Sequence, residues 1–208
     1  MIRHHPPLEL LFDYATGVAE EGAALVIATH ASLCASCGAL VRTLEAVGGE
    51  VLDDIAPEAV SADLLPCLME RLNDEPAPEN WPAVADAETR AVIPYPLLPY
   101  VSTGLDKVGW QTVGWFYQEF CLPLADKRVK TCLMKLARGS VVPKHGHGGN
   151  EYSVVLHGGY RDGDKRYLRG DFSWKTTGDV HQPIVDDDGD CTCLVVLEAP
   201  LTLTGAAA

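Results

Sequence analysis

Apolar side chains recur at helical spacing through the first third of the chain. Between residues 23 and 33 the sequence is alanine-rich and largely apolar, which predicts a buried helix. Three further stripes repeat every three or four positions, as expected for amphipathic helices. They are Leu8, Leu11, Phe12 and Ala15; Leu40, Leu44, Val47 and Val51; and Leu64, Leu65, Leu68, Met69 and Leu72. Residues 8–73 therefore predict a small bundle of about four helices.

The pattern changes twice after this region. Residues 76–99 contain six prolines among acidic and small residues, a composition typical of a linker or an extended arm. From residue 100 onward, short alternating segments are separated by Gly and Asp turns, which favours a β-sandwich or barrel. We predict a multi-domain α-then-β chain, with a helical domain at 1–75, a Pro-rich linker at 76–99 and a β domain at 100–208.

The net charge of −13 is unevenly distributed. Residues 1–75 contain three basic and thirteen acidic residues, whereas residues 76–208 contain thirteen basic and sixteen acidic ones. An acidic N-terminal part argues against direct nucleic-acid binding, because phosphate contacts need Lys and Arg. The charge suits either a basic protein partner or a solubilising surface.

The apolar runs and the cysteines bear on the compartment. No run approaches the roughly 18–20 apolar residues that a membrane span needs, and the first residues lack the apolar core of a secretory signal. We therefore expect a cytoplasmic protein without a membrane partner. Seven cysteines in that compartment indicate metal ligands, redox sensors or buried small residues rather than a disulfide framework.

A first metal-type cluster has the spacing His30-x3-Cys34-x2-Cys37. On a helix of about 100° per residue these side chains face one way, even if the helix kinks near Ser36. Tetrahedral zinc needs a fourth ligand, which His5, or less favourably His4, could supply by folding back. Such a structural zinc would stabilise a small domain. Two buried cysteines or a redox pair are the alternatives.

A second cluster reproduces the first motif of the cupin family, Gly139-x5-His145-x-His147-x3-Glu151-x6-Gly158. Residues two apart in a strand share a face, so both histidines can point into one barrel. Gly148 and Gly149 would let the chain return Glu151 toward the same ion. Three imidazoles, counting His181 from a later strand, and one carboxylate suit Zn²⁺, Fe²⁺, Mn²⁺ or Ni²⁺. We predict an antiparallel jelly-roll cupin barrel with a divalent metal.

The second cupin motif is less complete. It has the spacing Gly170-x5-Thr176-x-Gly178-x2-His181 and keeps the glycines and the histidine. Thr176 stands where proline is usual and Val185 where asparagine is usual, so the turn geometry could differ while the ligand survives.

The remaining cysteines are assigned by spacing alone. Cys191 and Cys193 lie two apart in a strand-like run and should face the same side, about 6.5–7 Å apart and at the edge of disulfide reach. They could form a redox pair or simply pack the barrel. Cys67, Cys121 and Cys132 are isolated in sequence, and we expect them to be packing residues.

The N-terminal part resembles the zinc-binding anti-sigma domain. The resemblance runs through Ile2-Arg3-His4-His5, Leu11-Phe12-Asp13-Tyr14-Ala15-Thr16-Gly17, residues 29–37 and Leu44-Glu45-Ala46-Val47-Gly48-Gly49. It implies that the zinc ligands are His5, His30, Cys34 and Cys37. Followed by a cupin domain, this segment is similar to the ChrR family of anti-sigma factors over nearly the whole chain.

The resemblance implies a regulator without enzymatic activity. The N-terminal domain would bind an extracytoplasmic-function sigma factor in a 1:1 heterodimer and block its access to RNA polymerase. The cupin domain would sense a stress such as singlet oxygen or organic hydroperoxides and trigger release. A cupin metalloenzyme, a dioxygenase or isomerase with a helical accessory domain, is the alternative. The His/Cys cluster and the acidic charge favour the regulator, because a cupin enzyme needs neither.

Overall fold

The helices occupy the first half of the chain. The computed structural model describes residues 1–72, 74, 86–101, 104–105, 107–115 and 117–204. Four helices lie within the predicted bundle: α1 (Leu8–Ala15), α2 (Glu21–Leu33), α3 (Ala35–Asp53) and α4 (Leu64–Arg71). A short α5 (Ala87–Val92) and a 3-10 helix (Tyr95–Tyr100) follow. The prediction of about four helices before residue 73 is confirmed.

The helix that carries the first cluster is broken at Cys34. This residue is extended, with φ −105° and ψ 105°, so that α2 ends at Leu33 and α3 begins at Ala35. The two helices are bent by 119°, and the expected single helix with a kink near Ser36 is wrong. Among the described helices, none alone is long and apolar enough to cross a membrane, and only this bent pair reaches that length and composition.

The second half of the predicted linker is packed rather than extended. Asp86 caps α5 by accepting a 2.7 Å hydrogen bond from Thr89 N, and Ile93 and Leu97 are fully buried. Proline suits the first turn of a helix, and Pro96 lies in the first turn of the 3-10 helix, so these prolines mark a helix start. Residues 76–85 lie outside the described residues. The domain boundaries at 75 and 99 stay a prediction.

Twelve strands form three antiparallel sheets in the described part of the chain. They are β1 (Gln111–Val113), β2 (Tyr117–Cys121), β3 (Lys130–Leu136), β4 (His145–His147), β5 (Glu151–His157), β6 (Gly159–Asp162), β7 (Lys165–Leu168), β8 (Phe172–Lys175), β9 (Val180–His181), β10 (Ile184–Val185), β11 (Cys191–Leu197) and β12 (Leu201–Leu203). The sheets have the orders β1-β2-β3-β11-β5-β8, β10-β6-β7 and β12-β4-β9. The α-then-β prediction is confirmed, but the described strands do not close into one hydrogen-bonded barrel.

The six-stranded sheet separates two apolar cores. On β11, Leu194 and Val196 belong to the larger core, which also takes in α1, α2 and the 3-10 helix, while Cys193 and Val195 belong to the smaller one. Successive strand residues point to opposite faces, which explains why β11 is buried along its whole length. The helices therefore cover one face of the sheet, and the opposite face is left for the cupin cluster.

Close approach of α2 to β3 holds the two halves together. A Cβ on Gly22 would lie 2.6 Å from Thr131 Oγ1 and 3.1 Å from Val196 Cγ1, so only glycine allows this packing distance. Next to it, Glu21 Oε2 accepts a 2.8 Å hydrogen bond from Asp126 N in the β2–β3 loop. The N-terminal end of α2 is thus attached to the sheet.

Three cysteines differ from expectation. Cys121 and Cys132 are directly opposite each other on β2 and β3, with Cα atoms 3.9 Å apart, and form a disulfide. Cys67 lies on α4 and is exposed. The prediction that these were isolated packing residues is wrong. A sequence separation of 11 does not reveal that Cys121 and Cys132 are opposite each other on paired strands.

Candidate metal centres

The first cluster brings together the four predicted residues of the N-terminal part. One ligand atom from each of His5, His30, Cys34 and Cys37 lies within 4.8 Å of all the others. Nδ1 of His5 is 3.4 Å from both Cys34 Sγ and Cys37 Sγ. The extended backbone at Cys34 separates α2 from α3. His30 lies on α2 and Cys37 on α3, and their side chains nevertheless meet at the same cluster. Two thiols and two imidazoles form a common tetrahedral zinc donor set.

His30 is oriented by the cupin part of the chain. Its Nδ1 donates a 2.8 Å hydrogen bond to the carbonyl oxygen of Gly170, which fixes the tautomer with a lone pair on Nε2. That Nε2 atom is buried and has no hydrogen-bond partner among the described residues. A buried acceptor without a partner is costly, and a metal ion at the centre of the cluster would satisfy it. The residues therefore fit a metal.

The N-terminal arm distinguishes His5 from His4. The His4 ring packs against Tyr167 at a centroid distance of 4.4 Å, and its Nε2 lies 3.1 Å from the Arg166 carbonyl oxygen. The structure thus places His4 away from the cluster and His5 within it.

The ionisation of the first cluster is compatible with metal binding. Burial lowers the pKa of His30 to about 4, so this ring is neutral at pH 7. Burial and the neighbouring Cys34 thiol raise the pKa of Cys37 to about 11. Burial acts in the same upward direction on Cys34, but hydrogen bonds from Ser36 and Cys37 outweigh it and lower the pKa of that thiol. Since a metal binds thiolates, loading this site should release protons.

The second cluster is assembled from β4, β5 and β9. His145 and His181 are opposite each other in the β4–β9 pair, and their Nε2 atoms are 2.9 Å apart. His145 Nδ1 donates to the Pro143 carbonyl oxygen at 2.7 Å, and His181 Nδ1 lies 2.9 Å from Asp162 Oδ2. Both Nε2 atoms therefore carry lone pairs when the rings are neutral, and two lone pairs at this distance repel each other unless a proton or a metal ion is shared by them.

His147 and Glu151 complete the cupin cluster. His147 Nδ1 is 3.7 Å from Glu151 Oε2, and its Nε2 is buried without a hydrogen-bond partner in the described residues. Burial, with the neighbouring His181 and His145, lowers the pKa of His147 to about 4. Burial also raises the pKa of Glu151 to about 7. One ligand atom from each of the four residues lies within 4.8 Å of the others, which suits a divalent transition metal.

The sequence did not point to Asp162, which contacts His181, or to Lys175, which contacts Asp162. Asp162 accepts hydrogen bonds from His181 and, at 2.6 Å, from Lys175 Nζ, and these bonds lower its pKa against the effect of burial. Asp162 ends β6 and Lys175 ends β8. Both look like ordinary turn and surface residues in sequence, and no spacing relates them to His181.

The departures from the second cupin motif preserve the turn. Thr176 N and Thr176 Oγ1 both donate to Asp179 Oδ2, at 2.7 and 3.1 Å. A proline at this position could make neither bond. Val185 is buried in the smaller core, opposite Tyr160 in the β10–β6 pair. His181 therefore reaches the cluster despite both changes.

A small apolar cavity lies beside the cupin cluster. Its volume is about 90 Å³, and its lining includes His145, Glu151 and His181 together with Met134, Tyr160 and Cys193. The Cys191 and Cys193 sulfur atoms are 3.6 Å apart and both residues are buried. The Cys191 thiol and burial raise the pKa of Cys193 well above its usual range. This thiol is therefore a poor thiolate source at pH 7.

A third group of ligand-type residues is not a comparable site. Glu119, Cys121 and Cys132 lie within the same distance limit, but the two sulfur atoms are bonded to each other. The Glu119 carboxylate accepts hydrogen bonds from Lys130 Nζ at 2.7 and 2.8 Å.

The fold and the two clusters define a class of protein: a cupin whose sheets carry a 3-His-1-Glu cluster, packed against a helical His/Cys segment. Residues 104–200 match the family model described as the ChrR Cupin-like domain. The chain is 37% identical over 203 residues to Anti-sigma-E factor ChrR of Cereibacter sphaeroides, covering 96% of this chain and 92% of that protein.

Solved structures extend the comparison. A crystal structure of Rhodobacter sphaeroides SigE in complex with the anti-sigma ChrR matches with a TM-score of 0.81 and 34% identity, covering 95% of this chain and 99% of that one. The chain belongs to the ChrR family of anti-sigma factors.

Proposed function

We propose that this protein is an anti-sigma factor that binds an extracytoplasmic-function sigma factor 1:1 and keeps it from RNA polymerase. Family membership supports the proposal, and the related ChrR structure is of a complex with SigE. The observation that carries it in this chain is an uncovered apolar surface on two helices of the N-terminal part.

This surface, which we call the α3–α4 face, comprises the C-terminal half of α3, the segment that connects it to α4, and α4 with its C-cap Leu72. Within the described residues, α4 has no buried side chain, and α3 has none after Val41. Its apolar members are Val47, Val51, Leu52, Ile55, Val60, Leu64, Leu65, Leu68, Met69 and Leu72. So many large apolar side chains exposed within one stretch of chain are typical of a protein contact. Acidic residues surround it, among them Glu50, Asp53 and Glu70, which favours a basic partner.

The two clusters have different proposed roles. Zn²⁺ bound by His5, His30, Cys34 and Cys37 would be structural, because all four positions of a tetrahedral ion are filled by protein. It would fix the junction of α2 and α3 and thereby the direction in which α3 presents its apolar face. The cupin cluster of His145, His147, Glu151 and His181 would hold Zn²⁺ or another divalent transition metal in the sensing part.

The stress signal would act in the cupin part. The cavity beside the metal cluster could admit a small oxidant such as singlet oxygen or an organic hydroperoxide. Cys193 lines this cavity and lies next to Cys191. Their two thiols could form a disulfide, losing two protons and two electrons while a hydroperoxide is reduced to an alcohol and water. Oxidation of the metal ligands themselves is a comparable route.

A cupin metalloenzyme is the second candidate. The observation that favours it is the cavity at the 3-His-1-Glu cluster, since metal-assisted oxygen chemistry needs room for a substrate beside the ion. The volume of about 90 Å³ is small beside the ~300–1,000 Å³ of usual ligand sites. Only a molecule of a few heavy atoms would fit, and the α3–α4 face has no role in such an enzyme.

Co-expression with an extracytoplasmic-function sigma factor of the source organism tests the proposal. We expect the full chain to co-purify with sigma in a 1:1 complex and to suppress sigma-dependent transcription in vitro. Oxidant should restore transcription. Failure to form a complex, together with unchanged transcription, would overturn the proposal. Oxygen uptake with a small oxygenated substrate by the same metal-loaded protein would then favour the enzyme.

A further inference from the structure

The turn between β7 and β8 lies against the first metal cluster, although it belongs to the cupin part of the chain. Its residues, Arg169, Gly170 and Asp171, contact the N-terminal arm of residues 1–5 on one side and α2 on the other. His5 and His30 are both connected to this turn. His5 is held through the backbone of the arm, and His30 through its ring.

Asp171 holds the arm that carries His5. Its Oδ1 accepts hydrogen bonds from Arg3 N at 2.6 Å and from His4 N at 3.0 Å, and its Oδ2 accepts one from Leu168 N at 2.8 Å. The residue is 2% exposed, so this carboxylate is buried and its negative charge is met by backbone N–H groups. Phe172 N adds a 3.0 Å bond to the His4 carbonyl oxygen, immediately before His5.

Gly170 accepts a hydrogen bond from the other histidine and allows the arm to pack closely on the turn. Its carbonyl oxygen is the acceptor for His30 Nδ1. The residue has a φ of +87°, and a Cβ at this position would lie 2.5 Å from Ile2 Cδ1. Only glycine therefore combines this backbone conformation with the packing of Ile2 on the turn.

From these contacts we infer that the β7–β8 turn of the cupin part positions both histidine ligands of the N-terminal His/Cys site and slows loss of its metal. The inference rests on the proposed metal role of that site. Asp171 and Gly170 are positioning residues, because they act through His5 and His30. Hydrogen-bond partners of metal ligands typically change metal affinity by about 10–100-fold when removed.

The same turn gives the two metal clusters a short connection. β8 begins at Phe172, which bonds the arm, and ends at Lys175, whose Nζ contacts the Asp162 carboxylate that holds His181. One four-residue strand thus bonds to the surroundings of both clusters. A change at the cupin metal that displaces β8 would therefore weaken the hold on His5.

Cobalt substitution of the full-length protein tests the inference, because only the first cluster contains thiols. Thiolate-to-cobalt absorption reports that site alone, and total cobalt by mass spectrometry reports both sites. We expect Asp171→Ala to lose the thiolate-to-cobalt absorption to excess EDTA about 10-fold faster than the unsubstituted protein, with its second cobalt equivalent retained. Asp164→Ala, in the exposed turn between β6 and β7, is the matched control and should release at the unsubstituted rate.

A second variant guards against misfolding. Ile2→Ala removes the side chain that packs on Gly170, leaves the hydrogen bonds of Asp171 in place and should also accelerate release. If both variants fold and lose cobalt at the unsubstituted rate, the turn has no positioning role, although the metal site would stand. If Asp171→Ala does not fold, Ile2→Ala alone decides by the same criterion. If the unsubstituted protein shows no thiolate-to-cobalt absorption, the metal site and this inference both fall.

Discussion

His145 and His181 face each other across the β4–β9 pair with their Nε2 atoms 2.9 Å apart. Each ring is held from behind, His145 by the Pro143 carbonyl oxygen and His181 by Asp162. Both Nε2 atoms point into the same small space, and the four-residue cluster around them has the donor set of a divalent metal site. The metal affinity of such a ligand pair should depend on the hydrogen-bond partners that orient the two rings as well as on the rings themselves.

Asp162→Asn should therefore weaken the cupin metal site without removing a ligand. The amide loses the negative charge that stabilises the His181 ring and its Lys175 partner. We expect about a 10–100-fold lower metal affinity, measured by chelator competition. Asp164→Asn in the adjacent turn is the control. Equal affinities in the two variants would show that Asp162 does not orient His181 toward an ion.

Metal stoichiometry should separate the two sites. Cys34→Ser removes a thiol from the first cluster and His147→Ala removes an imidazole from the second, so each variant should lose one metal equivalent. Cys67→Ser changes an exposed cysteine of α4 and should lose none. Metal content by mass spectrometry of the purified proteins is the measurement. Unchanged content in both ligand variants would contradict both assignments.

The pH dependence of the metal-free protein should report Glu151. Burial raises its pKa from 4.5 to about 7 in the folded state, so the folded protein binds this proton more tightly than the unfolded chain does. Its contribution to stability is complete below the unfolded pKa and is lost as the pH rises through about 7.

We therefore expect metal-free Glu151→Gln to have the higher Tm at about pH 8 and nearly the same Tm as the unsubstituted protein at about pH 4. Thermal melts across this range, after chelator treatment, measure the difference. With metal bound the order should reverse at high pH, because the glutamine is a poor ligand. A difference in Tm that does not change with pH would contradict the assigned pKa.

The Cys121–Cys132 disulfide should be detectable by counting thiols. Denatured, metal-free protein should take up five alkyl groups before reduction and seven after it, since five cysteines are free. Closing a short loop contributes about 2–4 kcal/mol, so Cys121→Ala with Cys132→Ala should lower the free energy of unfolding by that order. Cys67→Ala should leave it nearly unchanged. Seven alkyl groups without reduction would show that the pair is not bonded.

Local spacing predicted the ligands of both clusters that lie close together in the sequence. The His145 and His147 pair follows from strand alternation. The first cluster was also found by spacing, although its assumed helix is in fact broken at Cys34. What spacing could not show depends on contacts between distant segments. The Cys121–Cys132 pairing needs the β2–β3 register, and the choice of His5 over His4 needs the β7–β8 turn.

The fold was less predictable where the chain lacks periodicity. Residues 76–99 were interpreted by composition as a linker or an extended arm, yet Ile93 and Leu97 are buried in the larger core, and the 3-10 helix that carries Leu97 packs against α2. Their burial depends on the space between the sheet and the helices. Local sequence patterns do not reveal that space. At α4 the difference is in the other direction. Amphipathic spacing usually indicates a buried helix face, so the apolar stripe predicted burial. Among the described residues nothing covers that face, which is why we propose it as the sigma contact.

The α3–α4 face leads to the last prediction. Leu65→Asp with Leu72→Asp places two charges on α4 and its C-cap, where the leucines are 68% and 76% exposed. Desolvating these charges in a complex is costly, and they add to an already acidic surface. We expect sigma affinity to fall at least about 100-fold, which corresponds to ~2.7 kcal/mol, while the Tm of the free protein changes little.

Leu203→Asp makes the same change on β12 of the cupin part, at a leucine that is 63% exposed, and serves as the control. It should bind sigma as the unsubstituted protein does. Titration calorimetry and suppression of sigma-dependent transcription measure both variants under one salt condition, because charge effects depend on ionic strength. Retained affinity in the α4 variant with loss in the β12 variant would move the sigma contact to the cupin sheets. The apolar face of α4 would then need another partner.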